Sequence, residues 1–205
     1  MNLKAVIFDL DGVICHTDDY HYLAWKALAQ RLQIPFDRKV NDRLRGISRM
    51  ESLDIVLEGG KTNYTAEEKL VFAAEKNSHY QSFLAQMTPA DLSAEVSETL
   101  RALRGLGLLL AIGSSSKNTP LILARLGLGT YFDAAADGNQ IVRSKPDPEV
   151  FLLAASKLCV SPAQSIVVED AVAGVQAAKA GGFLAAGIGD TAHYAGTDFP
   201  LKTFK

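Results

Sequence analysis

From Leu108 onward the chain alternates short apolar runs with helical stretches, and no other feature limits its fold so sharply. The runs are Leu108 to Ile112, Phe132 to Ala136, Ser165 to Val168 and Phe183 to Ile188. Between them fall a helix through Leu121 to Leu126, one opened by Asp147-Pro148 and one through Val172 to Ala180. Apolar runs too short for helices, each followed by a helical pattern, predict a parallel sheet with helices on its faces. Leu3 to Phe8 is one more buried strand, and Gly12 breaks the chain soon after it. The expected fold class is α/β, a Rossmann-like doubly wound parallel sheet.

Between that first strand and the alternating region the pattern is helical throughout. Ser48-x-x-Glu51 and Thr65-x-x-Glu68 have the form of capping boxes, and Thr88-Pro89 sets a cap residue before a proline suited to a first helical turn. Residues 17–90 are therefore expected to form an all-helical cap subdomain inserted into an α/β core made of residues 1–16 and 91–205.

Composition closes off several function classes. With 21 basic and 23 acidic residues the formal net charge is -2, so no nucleic-acid partner is indicated. The longest apolar runs fall well short of the about 18 residues needed to span a bilayer, and Asp9 interrupts the first one too early for a signal peptide. Cys15 and Cys159 stand far apart in no metal or redox pattern, which predicts reduced thiols and a cytoplasmic protein. A monomer acting on small molecules is the simplest expectation.

The candidate chemistry collects at the ends of the apolar runs. Asp9 and Asp11 follow the first strand, Gly113-Ser114-Ser115-Ser116-Lys117-Asn118 follows the second, and Glu169-Asp170 closes the fourth. Lys145 sits in Ser144-Lys145-Pro146-Asp147-Pro148. Taken singly, each has a plainer reading: a solvated turn, a Ser-rich helix cap, an acidic cap at a helix start, an exposed lysine. Taken together they constrain one another, because the carboxyl ends of strands in a parallel sheet face one crevice. Two carboxylates 4 Å apart repel by about 4 kcal/mol at an effective dielectric near 20, so four of them call for a cation. Magnesium suits such a set, since it accepts a few carboxylates and keeps positions for water and phosphate. Hydroxyls and Lys145 beside it would suit a phosphoryl group.

In order, Asp9 with Asp11, Ser114, Lys145, and Glu169 with Asp170 match four motifs of the haloacid dehalogenase (HAD) superfamily of phosphotransferases, which the chain resembles over nearly its whole length. The resemblance implies that Asp9 is the nucleophile that becomes an aspartyl phosphate and that Asp11 is the general acid and base. It further implies that Asp9, the backbone carbonyl of Asp11, Glu169 and Asp170 surround Mg2+, and that Ser114 and Lys145 hold the transferring phosphoryl group. An ionised Asp9 needs no base in order to attack phosphorus, whereas Asp11 must carry a proton and so needs a raised pKa.

Within the superfamily the insertion is similar to that of the beta-phosphoglucomutases. The matching segments are Asp11-Gly12-Val13-Ile14, Tyr20-His21 with Trp25-Lys26, Leu44-Arg45-Gly46-Ile47-Ser48-Arg49 with Ser52, Lys76-Asn77, and Ser114-Ser115-Ser116-Lys117-Asn118. That similarity implies a Mg2+-dependent phosphomutase, an isomerase of carbohydrate metabolism. Such an enzyme interconverts beta-D-glucose 1-phosphate and D-glucose 6-phosphate through an aspartyl-phosphate enzyme, with beta-glucose 1,6-bisphosphate as priming intermediate. Arg49, Ser116, Lys117 and Asn118 would grip the phosphate that is not transferring, and the segment Leu44 to Arg49, with Leu44, Gly46, Ile47 and Ser48 in the binding set, would contact the sugar. Trp25, Ser52, Lys76 and Ser115 join the substrate-binding set, while His21 and Lys76 would couple cap closure to catalysis. From the residues alone, His21 and Trp25 could equally share one packed helix face. Arg49, at a helix start unfavourable to a cation, leans toward a ligand role. A sugar-phosphate phosphatase of the same fold is the alternative activity, and a non-catalytic sugar-phosphate sensor is a third.

Three departures from the family pattern carry expectations of their own. Cys15-His16-Thr17 stands where Thr-Asp-Thr is usual, which takes a hydrogen-bonding aspartate from the catalytic loop. Ser93-Ala94-Glu95 replaces Pro-Gly where the chain returns to the sheet, a change expected to affect the hinge. The residues after Gly189 are few, so one sheet edge is expected to be bare or covered by an irregular tail.

Overall fold

The computed structural model describes residues 2–204. Six strands form one sheet in the order β3-β2-β1-β4-β5-β6: β1 Ala5–Phe8, β2 Leu109–Gly113, β3 Ala134–Ala136, β4 Ser165–Glu169, β5 Leu184–Ile188 and β6 Phe199–Leu201. Every pairing is parallel. The alternation of side chains along β1 explains why the sheet is covered on both faces. Val6 and Phe8 point into one apolar cluster, and Ala5 and Ile7 into another.

The first cluster lies against α5 (Ala94–Gly105) and α6 (Thr119–Arg125), through Val96, Leu100, Ile122 and Leu123. The second lies against α7 (Glu149–Lys157) and α8 (Val172–Ala180), through Val150, Phe151, Val175 and Ala178. Chain direction reverses its march across the sheet at β1, which pairs with β2 on one side and β4 on the other. That reversal is the topological switch point, where doubly wound sheets open a crevice.

The insertion is helical, as its caps foretell. It contains α1 (Asp18–Arg31), α2 (Arg38–Asp42), α3 (Arg49–Leu57) and α4 (Ala66–Leu84). Both capping boxes form, with Ser48 and Thr65 accepting from the amides of Glu51 and Glu68 while those glutamates bond back. Trp25, Leu28, Leu53, Val56, Phe72 and Ala73 make a third apolar cluster inside it. Two of its helices also reach the sheet: Ala24 of α1 and Tyr80 and Leu84 of α4 are buried in the cluster over β1. No described helix is long and apolar enough to cross a membrane.

The structure corrects the expected sheet edge and relieves the two other departures. Phe199–Leu201 pairs with β5, so the tail supplies a regular strand instead of leaving the edge bare or irregular. It is tied down by Asp198, which accepts from the amide of Ala185 and from Lys179 Nζ, and Pro200 suits an outermost strand. The loop after β1 is braced without that aspartate. Backbone bonds from Gly12 to Cys15 O and from Ile14 and Cys15 to Leu10 O hold it, while His16 points to solvent. Ser93 caps α5 by accepting from Val96, so the return to the sheet is an ordinary helix start. Both cysteines are free thiols.

Candidate active site

Strand register brings the acidic motifs together. Phe8 is level with both Ile112 and Val168, so Asp9, Gly113 and Glu169 leave the sheet side by side at the switch point. Asp9, Glu169 and Asp170 are all buried, and their carboxylate oxygens can lie within 4.8 Å of one another. Two close approaches depend on glycine. A Cβ at Gly12, where φ is +88°, would sit 2.0 Å from Asp170 Oδ2, and one at Gly174 would sit 2.0 Å from Glu169 Cδ. Helix α8 can pass beside the cluster only because of that second gap.

Lys145, in the loop between β3 and α7, is fully buried behind these acids. Its Nζ donates to Asp9 and, at 2.9 Å, to Glu169. Burial alone would lower the Lys145 pKa, but the two carboxylates outweigh it and hold it above the usual range. Burial raises Asp9 against the pull of Lys145, and raises Glu169 well above the carboxylate range, with the charge of Asp9 adding to it. Asp170 is pushed up to about 7 by burial and by Asp9, with the Arg45 guanidinium opposing. Three buried carboxylates strained in this way by one another fit a hard divalent cation with oxygen ligands, as Mg2+ is.

Asp11 turns away from that cluster. Its Oδ1 accepts from Thr17 Oγ1 and from Tyr80 OH at 3.4 Å, with His21 Nε2 3.9 Å away. Burial first, and the Asp9 charge second, lift Asp11 to about 6, the direction a proton carrier requires. Thr17 and Tyr80 were invisible as site residues in the sequence, because Tyr80 reaches Asp11 only through the docking of α4 on the sheet.

A cavity of about 490 Å³ opens over these groups, between the insertion and the ends of the strands. Among its walls are Asp9, Asp11, His21, Trp25, Leu44, Gly46, Ile47, Ser48, Arg49, Ser52, Lys76, Ser114, Ser115, Ser116, Lys117, Asn118, Glu169 and Asp170. Every candidate residue read from the sequence therefore faces one space except Lys145, whose ammonium sits on Asp9 and Glu169 instead. Arg45 and Ser144, from the quoted segments around Arg49 and Lys145, line it too, as do Asp18, Asn41, Met50, Leu70, Ile141 and Val142, which nothing in their spacing marked.

The insertion side of the cavity is rich in unneutralised positive charge. Half-buried Arg49 has no carboxylate partner among the described residues, and burial lowers its pKa. Lys76 is buried, lies over the Trp25 and Tyr80 rings, and donates to His21 Nδ1 at 2.9 Å. Burial and the Arg49 charge bring it down to about 7, and burial with Lys76 keeps His21 neutral. Facing them, the turn after β2 is braced by Ser114 and Ser116, which accept from the amides of Ser116 and Asn118. Asn118 is clamped between Asn77 and Gln81 of α4. Two further ties join insertion and sheet: Ser115 Oγ to Gly46 O at 3.1 Å and Ser144 Oγ to Glu51 at 2.5 Å.

A family model described as haloacid dehalogenase-like hydrolase matches residues 3–182. The chain belongs to the haloacid dehalogenase-like hydrolases. Among curated members it is 44% identical to "Beta-phosphoglucomutase" of Bacillus subtilis (strain 168), covering 98% of this chain and 89% of that one. It is 31% identical to "Phosphorylated carbohydrates phosphatase" of Thermotoga maritima, over 88% of this chain and 82% of that protein. A crystal structure of beta-phosphoglucomutase from Clostridium difficile superposes with a TM-score of 0.93 at 38% identity, covering 98% of this chain and 92% of the other. The doubly wound sheet and the acidic cluster at its switch point are thus features of an enzyme of the haloacid dehalogenase-like family.

Proposed function

We propose that the protein is a beta-phosphoglucomutase, interconverting beta-D-glucose 1-phosphate and D-glucose 6-phosphate by way of beta-glucose 1,6-bisphosphate. The observation that carries the reading is the cavity's charge: an acidic cluster backed by Lys145 at the strand ends, and Arg49 and Lys117, paired with no acid among the described residues, elsewhere in its wall. A hydrolase has to hold one phosphate, whereas a mutase has to hold both phosphates of its bisphosphate at once. The names of the 44% identical relative and of the 38% identical structure support the same activity.

The residues divide the work as follows. Asp9, the backbone carbonyl of Asp11, Glu169 and Asp170 would hold Mg2+, which when bound offsets charge on the transferring phosphoryl oxygens. Asp9 attacks phosphorus as a carboxylate, the sugar oxygen leaves, and Asp11 gives that oxygen its proton. In the reverse half-reaction Asp11 takes the proton from the attacking sugar hydroxyl, and the bond from Asp9 to phosphorus breaks. Lys145 offsets the Asp9 and Glu169 charges, and Ser114 borders the same space. Arg49 and Lys117, with Ser116 and Asn118, hold the other phosphate, and Trp25, Ser52 and the stretch Leu44 to Ser48 face the sugar. Residues 17–90 act as the cap that shuts water out while this happens.

A turnover assay tests the reading. With Mg2+ and a trace of the bisphosphate, beta-glucose 1-phosphate should be converted to glucose 6-phosphate with little free phosphate. Release of phosphate as fast as glucose 6-phosphate forms would replace the mutase with a phosphatase.

A further inference from the structure

Arg45 lies in the loop between α2 and α3, on the insertion side of the cavity, and reaches across to the sheet. One end of its guanidinium, NH2, donates to Asp170 Oδ2 and lies 3.8 Å from Asp18; the other end, NH1, donates to Asp190 at 2.9 Å. Asp170 is one of the three buried carboxylates of the metal cluster, while the Asp190 side chain is 84% exposed. The neighbouring Gly46 carbonyl accepts from Ser115, so this short stretch is a seam between insertion and sheet. Asp170 Oδ2 is boxed in on its other side by Gly12.

We propose that Arg45 competes with the divalent cation for Asp170, so that metal binding unlocks the seam between cap and core. This rests on the metal-site reading above and adds a regulation to it. Lys145 already offsets one charge of the carboxylate cluster and Arg45 offsets a second. A dication entering with both in place makes the cluster net positive, and it meets the guanidinium across a single carboxylate. Arg45 then gives up Asp170 and keeps Asp190, which holds it outside the cavity. The planar two-ended fork is what lets one side chain keep an inner and an outer acid at once, a geometry lysine lacks.

The test is Mg2+ affinity measured by calorimetry without substrate, together with hydrogen exchange of the amides of residues 43–48. Arg45→Met should bind Mg2+ about tenfold or more tightly than wild type, the worth of a charged hydrogen bond. Asp190→Asn, a change at an exposed side chain, takes away the outer acid that keeps the released Arg45 out of the cavity, so it should bind Mg2+ more weakly than wild type. In wild type, Mg2+ should speed exchange of residues 43–48; in Arg45→Met exchange should be fast already and indifferent to Mg2+. Equal or weaker Mg2+ binding by Arg45→Met, or tighter binding by Asp190→Asn, with exchange in wild type unmoved by Mg2+, overturns the proposal. Asp170→Ala separates the two levels: if it binds Mg2+ as wild type does, the metal site itself is misplaced and the competition falls with it.

Discussion

Lys145 offers the sharpest energetic test, because it is a fully buried cation between two buried carboxylates. Lys145→Met keeps the length and apolar stem of the side chain but leaves Asp9 and Glu169 facing each other without a counter-charge. Removing one partner of a buried ion pair costs about 3–5 kcal/mol, chiefly through the charge left behind. For a chain of this size each kcal/mol moves the melting temperature by about 2–4 °C, so in EDTA the variant should melt about 6–20 °C below wild type. Two controls follow from the same physics. Mg2+ brings positive charge to the same carboxylates, so it should restore a large part of the lost stability. Asp9 and Glu169 already have raised pKa values, and removing Lys145 raises them further. Acidification then protonates them in the folded variant before the unfolded chain, so the deficit should shrink as the pH falls from 8 toward 5. Thermal melts in EDTA and in MgCl2 at both pH values decide the matter. A melting temperature within about 2 °C of wild type in EDTA at pH 8 would refute the placement of Lys145 as the counter-ion of the cluster.

Asp9→Asn should abolish both phosphoenzyme and turnover, read by intact-protein mass and by assay, since an amide cannot attack phosphorus. Asp11→Asn should keep Mg2+ affinity by calorimetry while slowing turnover by about 10²- to 10⁴-fold, the usual worth of a positioned proton carrier. Arg49→Lys keeps the charge but loses the planar fork. It should lower hexose-phosphate interconversion by about 1.5–3 kcal/mol of transition-state stabilisation and leave acetyl phosphate hydrolysis nearly unchanged. Lys76 has a folded pKa of about 7 against 10.5 in the ordinary range, so below pH 7 the folded state carries the full penalty of burying its charge. The penalty fades as the pH rises toward 10.5, so Lys76→Met should gain up to about 5 kcal/mol over wild type at low pH relative to pH 10.5 in denaturant titrations.

How much was legible from residues follows a physical divide. The strands β1, β2, β4 and β5 are continuous apolar runs because both faces of a parallel sheet are buried, and their ends put Asp9, Ser114, Glu169 and Asp170 at one crevice. The helix starts at Ser48 and Thr65 were readable because a capping box is a local hydrogen-bond pattern. β6 was not, since three residues, Phe199 to Leu201, carry no periodicity and gain their order from pairing with β5 and from Asp198. The five-residue α2 was missed for the same reason of length. Thr17 and Tyr80 as partners of Asp11, and the reach of Arg45 to Asp170, could not be found, because the docking of the insertion makes these contacts and nothing in their spacing marks them. The residue type of Lys145 pointed to phosphate, while its depth, which only packing decides, sets it on the carboxylates.

The central claim is that a single cavity grips a phosphate at each end of one sugar. Binding to Asp9→Asn protein, which cannot transfer the phosphoryl group, tests it most directly: titrate beta-glucose 1,6-bisphosphate and glucose 6-phosphate in the presence of Mg2+ by calorimetry. The account predicts that the bisphosphate binds about 10- to 100-fold more tightly, and that adding Arg49→Lys weakens bisphosphate binding by about tenfold or more. Equal affinity for the two ligands, or bisphosphate affinity unchanged by Arg49→Lys, would contradict it.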